Sequence, residues 1–222
     1  MGPGRVELNP RPDGGRRRRS SRGAFVLIVG PDGSGKTTLA RRLIERTSGD
    51  FRRSLHIHWR PRVLPRVGSL VGVELGDPTE PHAREPRGAV PSVVMLAYHW
   101  LDFLLGSWIR ILPTRRRGGL IVMERGWLDI AVDPRRYRLS VPPTLVELMG
   151  QLLPAPDLVL ILRADPAILM QRKAELPIEE LARQLRRWDQ MRFGRRTAHS
   201  VIDASQGEIA VLAQATRDVL AS

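Results

Sequence analysis

The residues most clearly suited to chemistry lie at positions 30–38, which read Gly-Pro-Asp-Gly-Ser-Gly-Lys-Thr-Thr. This segment matches the pattern G-x-x-x-x-G-K-[ST], whose glycines let backbone N–H groups converge on phosphates while the lysine reaches the outer phosphates. The hydroxyl that follows the lysine is suited to hold Mg²⁺. We therefore predict a polyphosphate-binding loop, with a Mg²⁺ site at Thr37, formed by Gly30, Asp32, Gly33, Ser34, Gly35, Lys36, Thr37 and Thr38.

Lys36 is distinguished by composition as well as by position. The chain has 36 lysines and arginines, yet only Lys36 and Lys173 are lysines. A compact ammonium group that follows a moving phosphoryl group is not replaced by a planar guanidinium without loss. Lys36 is therefore predicted to be catalytic, together with Asp32 in the same loop.

Two elements are predicted to hold this loop in place. Residues 24–29 are a short apolar, β-branched run typical of a buried strand, and residues 36–47 carry Leu39, Leu43 and Ile44 at helical spacing. The loop therefore joins a strand to a helix N-terminus, where unpaired N–H groups and the positive end of the helix dipole favour anions.

The composition is typical of a soluble globular protein, with 42% hydrophobic and 27% charged residues among 222. One domain over residues 23–222 is the expectation at this length. The chain has no cysteine, which excludes disulfides and fits a reducing cytoplasm. The arginine-rich start lacks an apolar core segment, so it is not interpreted as a secretory signal, and we expect a cytoplasmic protein.

The net charge of +13 is divided between a tail and this domain. Residues 1–22 contain seven arginines, Glu7 and Asp13, which gives 7 − 2 = +5 and leaves 13 − 5 = +8 for the rest. The tail is expected to be disordered and solvated, with a contact to nucleic acid as the alternative. A charge of +8 on the domain suits a cleft that binds phosphorylated small molecules.

A second strand is predicted at residues 54–59, where polar and apolar residues alternate. Arg60 follows its carboxyl end, where α/β sheets bind ligands, so Arg60 is predicted to contact the substrate; a solvated arginine is the equal alternative. His56 and His58 share a face, but no third ligand follows at metal spacing, so packing is favoured over metal binding. Residues 61–91 are interpreted as a long, mobile loop.

An apolar helix is predicted over residues 92–112. Its length suits a membrane span, but His99 and Asp102 interrupt its centre, and a charge at mid-bilayer costs about 3 kcal/mol or more. A buried helix that covers the sheet, with no membrane partner, is therefore favoured. Tyr98 and Asp102 share one face and are predicted to bind the substrate, while internal pairing of Asp102 remains open.

Residues 119–125 form an apolar strand that ends in Glu124 and Arg125. A carboxylate at this position in nucleotide-binding folds lies near Mg²⁺ or its waters, so Glu124 is predicted to be catalytic and to hold the metal. Arg125 enters the same crevice and is predicted to be catalytic and to bind the substrate. Residues 133–138 read Asp-Pro-Arg-Arg-Tyr-Arg, which suits recognition of phosphate or hydroxyl groups.

The remaining chain continues to alternate between strands and helices. Strands are predicted at residues 157–162 and 199–203, and the pairs Thr144/Glu147 and Ser205/Glu208 match the capping box. A basic segment from Arg172 onward lies between two helices and can close over a transferring phosphoryl group. We therefore predict an α/β, three-layer P-loop fold with a five-stranded parallel sheet, helices on both faces and a lid segment.

Together these motifs resemble the thymidylate kinase family of nucleoside monophosphate kinases. The resemblance covers about residues 23–220 and rests on residues 30–38, 124–125, 156–162, 165–166, 172–173 and 202–206. It implies Mg²⁺-dependent transfer of a phosphoryl group from ATP. It also implies that Asp32 faces the acceptor, that Arg125 holds the acceptor's phosphate, that the lid begins at Arg172, and that Ala204, Ser205 and Gln206 flank the adenine.

The departures from the family pattern fall on the acceptor side. The family has Asp-Arg-Tyr where this chain has Glu124-Arg125-Gly126, and Arg-Glu-Pro where it has Trp59-Arg60-Pro61. Residues 133–138 resemble a divergent branch of thymidylate-kinase-like proteins associated with surface-polysaccharide genes. The small-molecule acceptor is therefore a nucleoside monophosphate such as dTMP or, alternatively, a nucleoside, a sugar or a polysaccharide precursor.

A nucleotide-dependent binding module is the remaining alternative. Such a module would use the arginine-rich tail of residues 1–22 on nucleic acid, and its binding would depend on salt. The sequence leaves a homodimer open.

Overall fold

The computed structural model describes residues 7–9, 22–65, 86–172 and 176–222. Within these ranges the strands are β1 (Glu7–Asn9), β2 (Ala24–Val29), β3 (Ser54–Ile57), β4 (Leu120–Glu124), β5 (Leu158–Arg163) and β6 (Ala198–Asp203). The helices are α1 (Lys36–Arg46), α2 (Ala89–Gly106), α3 (Leu112–Arg116), α4 (Asp129–Val132), α5 (Pro143–Gly150), α6 (Pro166–Arg172), α7 (Ile178–Gln190) and α8 (Glu208–Ala221). A π-helical stretch, Ser107–Ile111, joins α2 to α3, and a 3₁₀ turn, Arg135–Tyr137, follows α4.

The strands form one sheet in the order β1-β3-β4-β2-β5-β6. The last five of these are mutually parallel, which confirms the predicted five-stranded parallel sheet. β1 adds an antiparallel edge, with Glu7 opposite His56. β1 belongs to the tail for which disorder was expected, so three residues of that tail differ from the expectation. The other tail residues up to 21 lie outside the described part.

The sheet has a hydrophobic core on each face because side chains alternate along every strand. On β2, Val26 and Ile28 pack with α1, α6, α7 and α8, whereas Phe25, Leu27 and Val29 pack with α2, α4 and α5. A parallel strand that is buried on both faces reads as a continuous apolar run, which is why residues 24–29 were recognisable in the sequence. These are the three layers that the sequence predicts.

The position of β2 decides where the functional loop lies. β2 is flanked by β4 on one side and β5 on the other, with Ile28 opposite both Glu124 and Leu160. The segment after β2 therefore emerges at the carboxyl edge of the middle of the sheet, beside the end of β4. Ligands of open α/β sheets bind at this edge.

The predicted helix over residues 92–112 is present but longer, and it is only partly buried. It begins at Ala89 and continues through the π-helical stretch to Arg116. Its inner face packs on the sheet through Leu96, Phe103 and Ile111. Its outer face exposes Val90, Val93, Val94, Leu101, Trp108 and Ile109. The helix therefore covers the sheet, as predicted, but its outer apolar face is exposed rather than buried.

This helical stretch is also the one segment of the described chain long and apolar enough to cross a membrane. Residues Ala89–Arg116 have a mean hydropathy of 1.4 in the relevant window, of which 33% is buried within the protein. A core helix of a soluble protein meets the same criterion, and the buried Asp102 at its centre forms an ion pair within the protein.

Both predicted capping boxes are wrong. α5 begins at Pro143, one residue before Thr144, and α8 begins at Glu208 after Gly207; neither helix has a side-chain cap. Ser205 instead bonds to Asp203, and Glu147 contacts Arg187. By contrast, Asp165 does cap α6, since its Oδ1 accepts the N–H of Ala167 at 2.8 Å.

Of the predicted loop at 61–91, residues 66–85 lie outside the described chain.

Candidate active site

The glycine-rich loop follows β2 and ends at the N-terminus of α1, as predicted. Gly35, with φ of 87°, is the residue before the first turn of α1, and this left-handed conformation favours glycine. Gly30, with φ of 143°, passes so close to β5 that a Cβ would lie 2.5 Å from the carbonyl oxygen of Leu162. The backbone therefore needs glycine at both ends of the loop. The Ser34 hydroxyl is buried without a protein partner, which fits a loop that accepts a polar ligand.

Lys36 lies under this loop rather than in solvent. Its ammonium donates to the carbonyl oxygens of Gly30 at 2.8 Å and Pro31 at 2.6 Å, and lies 3.8 Å from Asp32. Burial, and then the nearby Arg125, lowers the pKa of Lys36 to about 7. The lysine is thus held within the loop at the place where the phosphate chain of a nucleotide would lie.

A carboxylate from the adjacent strand meets the helix end of the loop. Glu124 is fully buried; its Oε2 accepts the Thr37 hydroxyl at 2.6 Å and its Oε1 contacts His56 Nε2 at 2.6 Å. Burial would raise the pKa of Glu124, but hydrogen bonds from His56, His58 and Thr37 outweigh it and lower the pKa to about 2. An ionised carboxylate beside the Thr37 hydroxyl fits a divalent cation.

His56 and His58 were expected to have packing roles, and the structure corrects this. His56 bonds to Glu124, and His58 Nδ1 lies 3.4 Å from the same carboxylate. The contact of both histidines with Glu124 was missed because this residue comes from β4, 66 residues after His58 (124 − 58). Only the pairing of β3 with β4 brings the two segments together.

Asp32 lies in a second cluster of charges, 3.8 Å from Lys36. Its carboxylate pairs with the guanidinium groups of Arg125 and Arg136, one at each oxygen. Burial opposes ionisation of Asp32, but Arg125, Lys36 and Arg136 together hold the pKa of this carboxyl well below its usual range. Arg136 was recognised only as part of the basic segment 133–138, and its position against the phosphate loop requires the fold.

Arg125 is held by a network of its own. It lies in the left-handed region with φ of 69°, and its guanidinium contacts Asp129 at 3.7 Å as well as Asp32. Asp129 accepts the Tyr137 hydroxyl at 2.6 Å. Burial, and then the charge of Asp129, raises the pKa of Tyr137 well above its usual value. Arg125 Nε is buried and has no hydrogen-bond partner among the described residues.

Arg60, Tyr98 and Asp102, predicted to bind the substrate, make contacts within the protein. Asp102 is fully buried and accepts the backbone N–H groups of residues 62–64 at 2.7–3.0 Å, while Arg60 lies 3.2 Å from it. Tyr98 donates its hydroxyl to the carbonyl of Pro65. Of the two alternatives for Asp102, the structure has internal pairing. These residues brace the chain that follows β3.

Aromatic rings lie between the charge clusters and the residues that hold the chain after β3, Arg60, Tyr98 and Asp102. Trp59 stacks on Tyr137 with ring centroids 4.8 Å apart and meets the edge of His99 at 5.0 Å. Arg60 lies over the rings of Trp59 and Tyr98. Burial, and then Arg60, lowers the pKa of His99 to about 4, so this histidine is neutral near pH 7. Within the part of the chain that the structure describes, Trp59 Nε1 and His99 Nδ1 are buried without hydrogen-bond partners.

The segments predicted to contact the adenine and form the lid lie at the end of β6 and after β5. Arg172, the last residue of α6, donates to the carbonyl of Ala204 at 3.0 Å, so the predicted start of the lid meets the predicted adenine-side segment. Ser205 and Gln206 are exposed. Arg183 binds Glu180 and the carbonyl of Val132, and Arg187 binds Glu147. These two basic residues of the predicted lid therefore have internal partners.

A phosphate loop between the middle strand and its helix, with a carboxylate from the adjacent strand against the loop's threonine, defines a P-loop nucleotide-binding fold. Its five parallel strands and surrounding helices are those of the thymidylate kinase-like fold. A thymidylate kinase from Candida albicans, 19% identical, superposes with a TM-score of 0.62 over 90% of this chain and 92% of its own. One from Ehrlichia chaffeensis, 15% identical, superposes with a TM-score of 0.52 over 90% of this chain and 98% of its own.

Sequence comparison adds no relative to these structural ones. No protein-family model matches the chain, and a search of curated protein sequences finds no match. The structural likeness, at 15–19% identity, therefore shows the fold, and the reaction has to be argued from the site itself.

Proposed function

We propose that the protein is an ATP-dependent phosphotransferase that transfers the γ-phosphoryl group of ATP to the phosphate of a nucleoside monophosphate, with dTMP as the first candidate. The observation that carries this proposal is the pair of polar clusters at the phosphate loop. Thr37 and Glu124 form one, suited to a cation, and Asp32, Arg125 and Arg136 form the other, suited to an anion. A donor and an acceptor phosphate would meet between them.

The protonation states favour a phosphate as acceptor. A hydroxyl acceptor needs a general base, whereas a phosphate oxygen is already anionic. Asp32 is held ionised by three cations and the pKa of Glu124 is about 2, so neither carboxylate is a good proton acceptor at neutral pH. This chemistry supports a phosphorylated acceptor over a nucleoside or a sugar hydroxyl.

ATP would bind with its phosphates in the glycine loop and its adenine near Ala204, Ser205 and Gln206. Lys36 would leave the carbonyls of Gly30 and Pro31 for the phosphates, and its burial makes its charge count for more there. Thr37 and Glu124 would hold Mg²⁺, which supplies neutralisation of the charge on the phosphates.

The acceptor side would orient the second substrate. Arg125 and Arg136, which now hold Asp32, would share their guanidinium groups with the acceptor's phosphate. Trp59, Tyr98 and His99 would line the remainder of the acceptor site. A cytoplasmic location, where ATP and nucleotides are available, belongs to the same proposal.

The decisive experiment measures ADP release over a panel of nucleoside monophosphates, nucleosides, sugars and sugar phosphates. A broad panel is appropriate because the Candida albicans thymidylate kinase is described as having broad substrate specificity. We expect release with dTMP or another nucleoside monophosphate, and its loss in Lys36→Ala. Absence of release with every acceptor would contradict the proposal.

A variant of Asp32 separates the two kinds of acceptor. With a phosphate acceptor, Asp32→Asn should spare kcat and change mainly the KM of the acceptor, because Asp32 holds Arg125 and Arg136 but moves no proton. With a hydroxyl acceptor, the same change should abolish turnover. Steady-state kinetics of the purified variant with the best acceptor decide between them.

A further inference from the structure

Three donor atoms lie close together beside the phosphate loop, two of them in contact with the third. They are the Thr37 hydroxyl, Glu124 Oε2 and His58 Nδ1, from α1, the end of β4 and the residue after β3. The Thr37 and Glu124 oxygens are 2.6 Å apart, and His58 Nδ1 is 3.4 Å from the same Glu124 oxygen. At 3.4 Å the histidine contact is longer than an ordinary hydrogen bond of 2.7–3.2 Å.

These spacings match the edges of an octahedral metal site. Two ligands about 2.1 Å from an ion and at right angles lie about 3.0 Å apart, so both observed distances are within about 0.4 Å of that edge. Among the described residues, no three His, Cys, Asp or Glu side chains by themselves form a metal site. The set is formed only when the Thr37 hydroxyl is included, and phosphate oxygens of a nucleotide and water would complete it.

The two histidines have different positions in this cluster. His56 Nε2 holds the other oxygen of Glu124, Oε1, at 2.6 Å, and its side chain is only 11% exposed. His58 is 43% exposed and faces Oε2, the oxygen that Thr37 also contacts. His56 therefore orients the carboxylate in the way that second-layer groups orient metal ligands, whereas His58 can reach the ion itself.

We propose that His58 is a direct ligand of the divalent cation in this site, and that the site consequently favours a first-row transition ion such as Mn²⁺ over Mg²⁺. Mg²⁺ prefers oxygen ligands throughout, whereas an imidazole nitrogen suits transition ions. The inference rests on the proposed function in one respect, since ATP supplies the remaining ligands. The proposal gives His58 a role in the site, and no other contact described at the site requires a histidine at this position.

The test uses Mn²⁺ as the probe, with the full chain and a non-hydrolysable ATP analogue. Pulsed electron paramagnetic resonance detects coupling of bound Mn²⁺ to a ¹⁴N nucleus, and competition with Mg²⁺ gives the ratio of the two affinities. We expect nitrogen coupling in the wild type. We expect His58→Gln to remove that coupling and to reduce the preference for Mn²⁺ by about tenfold or more.

Two further variants keep the test specific. His199→Gln, on the exposed part of β6, is the matched control and should change neither the coupling nor the affinity ratio. His56→Gln should weaken both metals while the nitrogen coupling remains, because it disturbs only the orientation of Glu124. The proposal is overturned by a wild type without nitrogen coupling, by coupling that survives His58→Gln, or by an unchanged Mn²⁺/Mg²⁺ ratio.

The readout is separate from that of the proposed function. Bound Mn²⁺ with nitrogen coupling but no ADP release with any acceptor would leave His58 as a ligand and remove the kinase proposal. ADP release with equal use of Mg²⁺ and Mn²⁺ and no nitrogen coupling would support the kinase proposal and exclude His58 as a metal ligand.

Discussion

At the scale of single residues, Asp32 is the point where the charges of the proposed acceptor side balance. Arg125 and Arg136 each bind one of its oxygens, and Lys36 lies 3.8 Å away. In the protein without ligands, this carboxylate therefore occupies the place between two arginines that a phosphate would also suit. Any anionic acceptor must share these arginines with Asp32.

Replacement of Arg136 by glutamine tests this arrangement. A hydrogen bond to a charged group contributes about 1.5–3 kcal/mol, so Arg136→Gln should raise the KM of a phosphate acceptor about ten- to hundredfold. The KM of ATP should change much less. The neighbouring Arg135 is exposed, so Arg135→Gln is the matched control and should leave both constants nearly unchanged. Equal effects of the two replacements would contradict the role of Arg136.

His99 gives the protein a defined dependence on pH. Its pKa is lowered from 6.5 to about 4, first by burial and then by Arg60, with Arg87 acting in the same direction and Asp102 against it. Between pH 4 and 6.5 the unfolded chain therefore binds a proton that the folded chain does not. The free energy of unfolding should fall as the pH is lowered through this range, by about 3 kcal/mol from this group.

The variant His99→Asn should lack this contribution to the fall in the free energy of unfolding at acid pH. Urea denaturation followed by circular dichroism at pH 7 and pH 4 measures the difference for the wild type and the variant. His199→Asn serves as control, because His199 is exposed, and its acid loss should match that of the wild type. Identical losses in all three proteins would show that His99 is not held neutral.

At the scale of elements, α2 determines where the chain after β3 can run. Asp102 binds the backbone of residues 62–64, and Gly106 packs directly against Pro61. A Cβ on Gly106 would lie 2.0 Å from Pro61 Cβ, so the helix and the segment meet without room for a side chain. α2 thereby fixes the direction in which Arg60 and Trp59 enter the acceptor side.

We therefore expect Gly106→Ala to displace this segment. Overpacking of a close contact costs about 1–3 kcal/mol, which urea denaturation will detect, and the KM of the acceptor should rise more than that of ATP. Gly207→Ala is the control, because a Cβ there meets no atom within 4 Å. Gly207→Ala should change the free energy of unfolding by no more than about 0.5 kcal/mol. A Gly106→Ala protein as stable as the control would mean that the two segments separate easily.

At the scale of the whole molecule, part of the net positive charge lies outside the segments that build the hydrophobic cores. The five parallel strands and the two cores lie within residues 24–219, whereas four arginines of the net +13 form the run at residues 16–19. The tail contributes β1 at the edge of the sheet, opposite β3. The charge of this arginine run can therefore be changed by mutation without altering residues 7–9, which pair with β3.

Replacement of all four arginines at positions 16–19 by glutamine leaves β1 intact and lowers the net charge from +13 to 13 − 4 = +9. ADP release and the melting temperature should not change. Weak, non-specific binding to duplex DNA at low salt should fall, with a smaller dependence on salt by about 0.9 per lost phosphate contact. Loss of ADP release in this variant would instead place the arginine run in the enzymatic site.

The sequence alone determined the phosphate loop, the strands and the class of fold, because each is encoded locally. Glycine spacing, continuous apolar runs and a capping aspartate act within a few residues. The tertiary structure alone decided which side chains meet: His56 with Glu124, 68 residues apart, Arg136 with Asp32, 104 apart, and Asp102 with residues 62–64. Such partners depend on strand order and helix placement, which no local pattern specifies. For that reason, His58 looked like a packing residue in the sequence and lies 3.4 Å from the buried carboxylate of Glu124 in the fold.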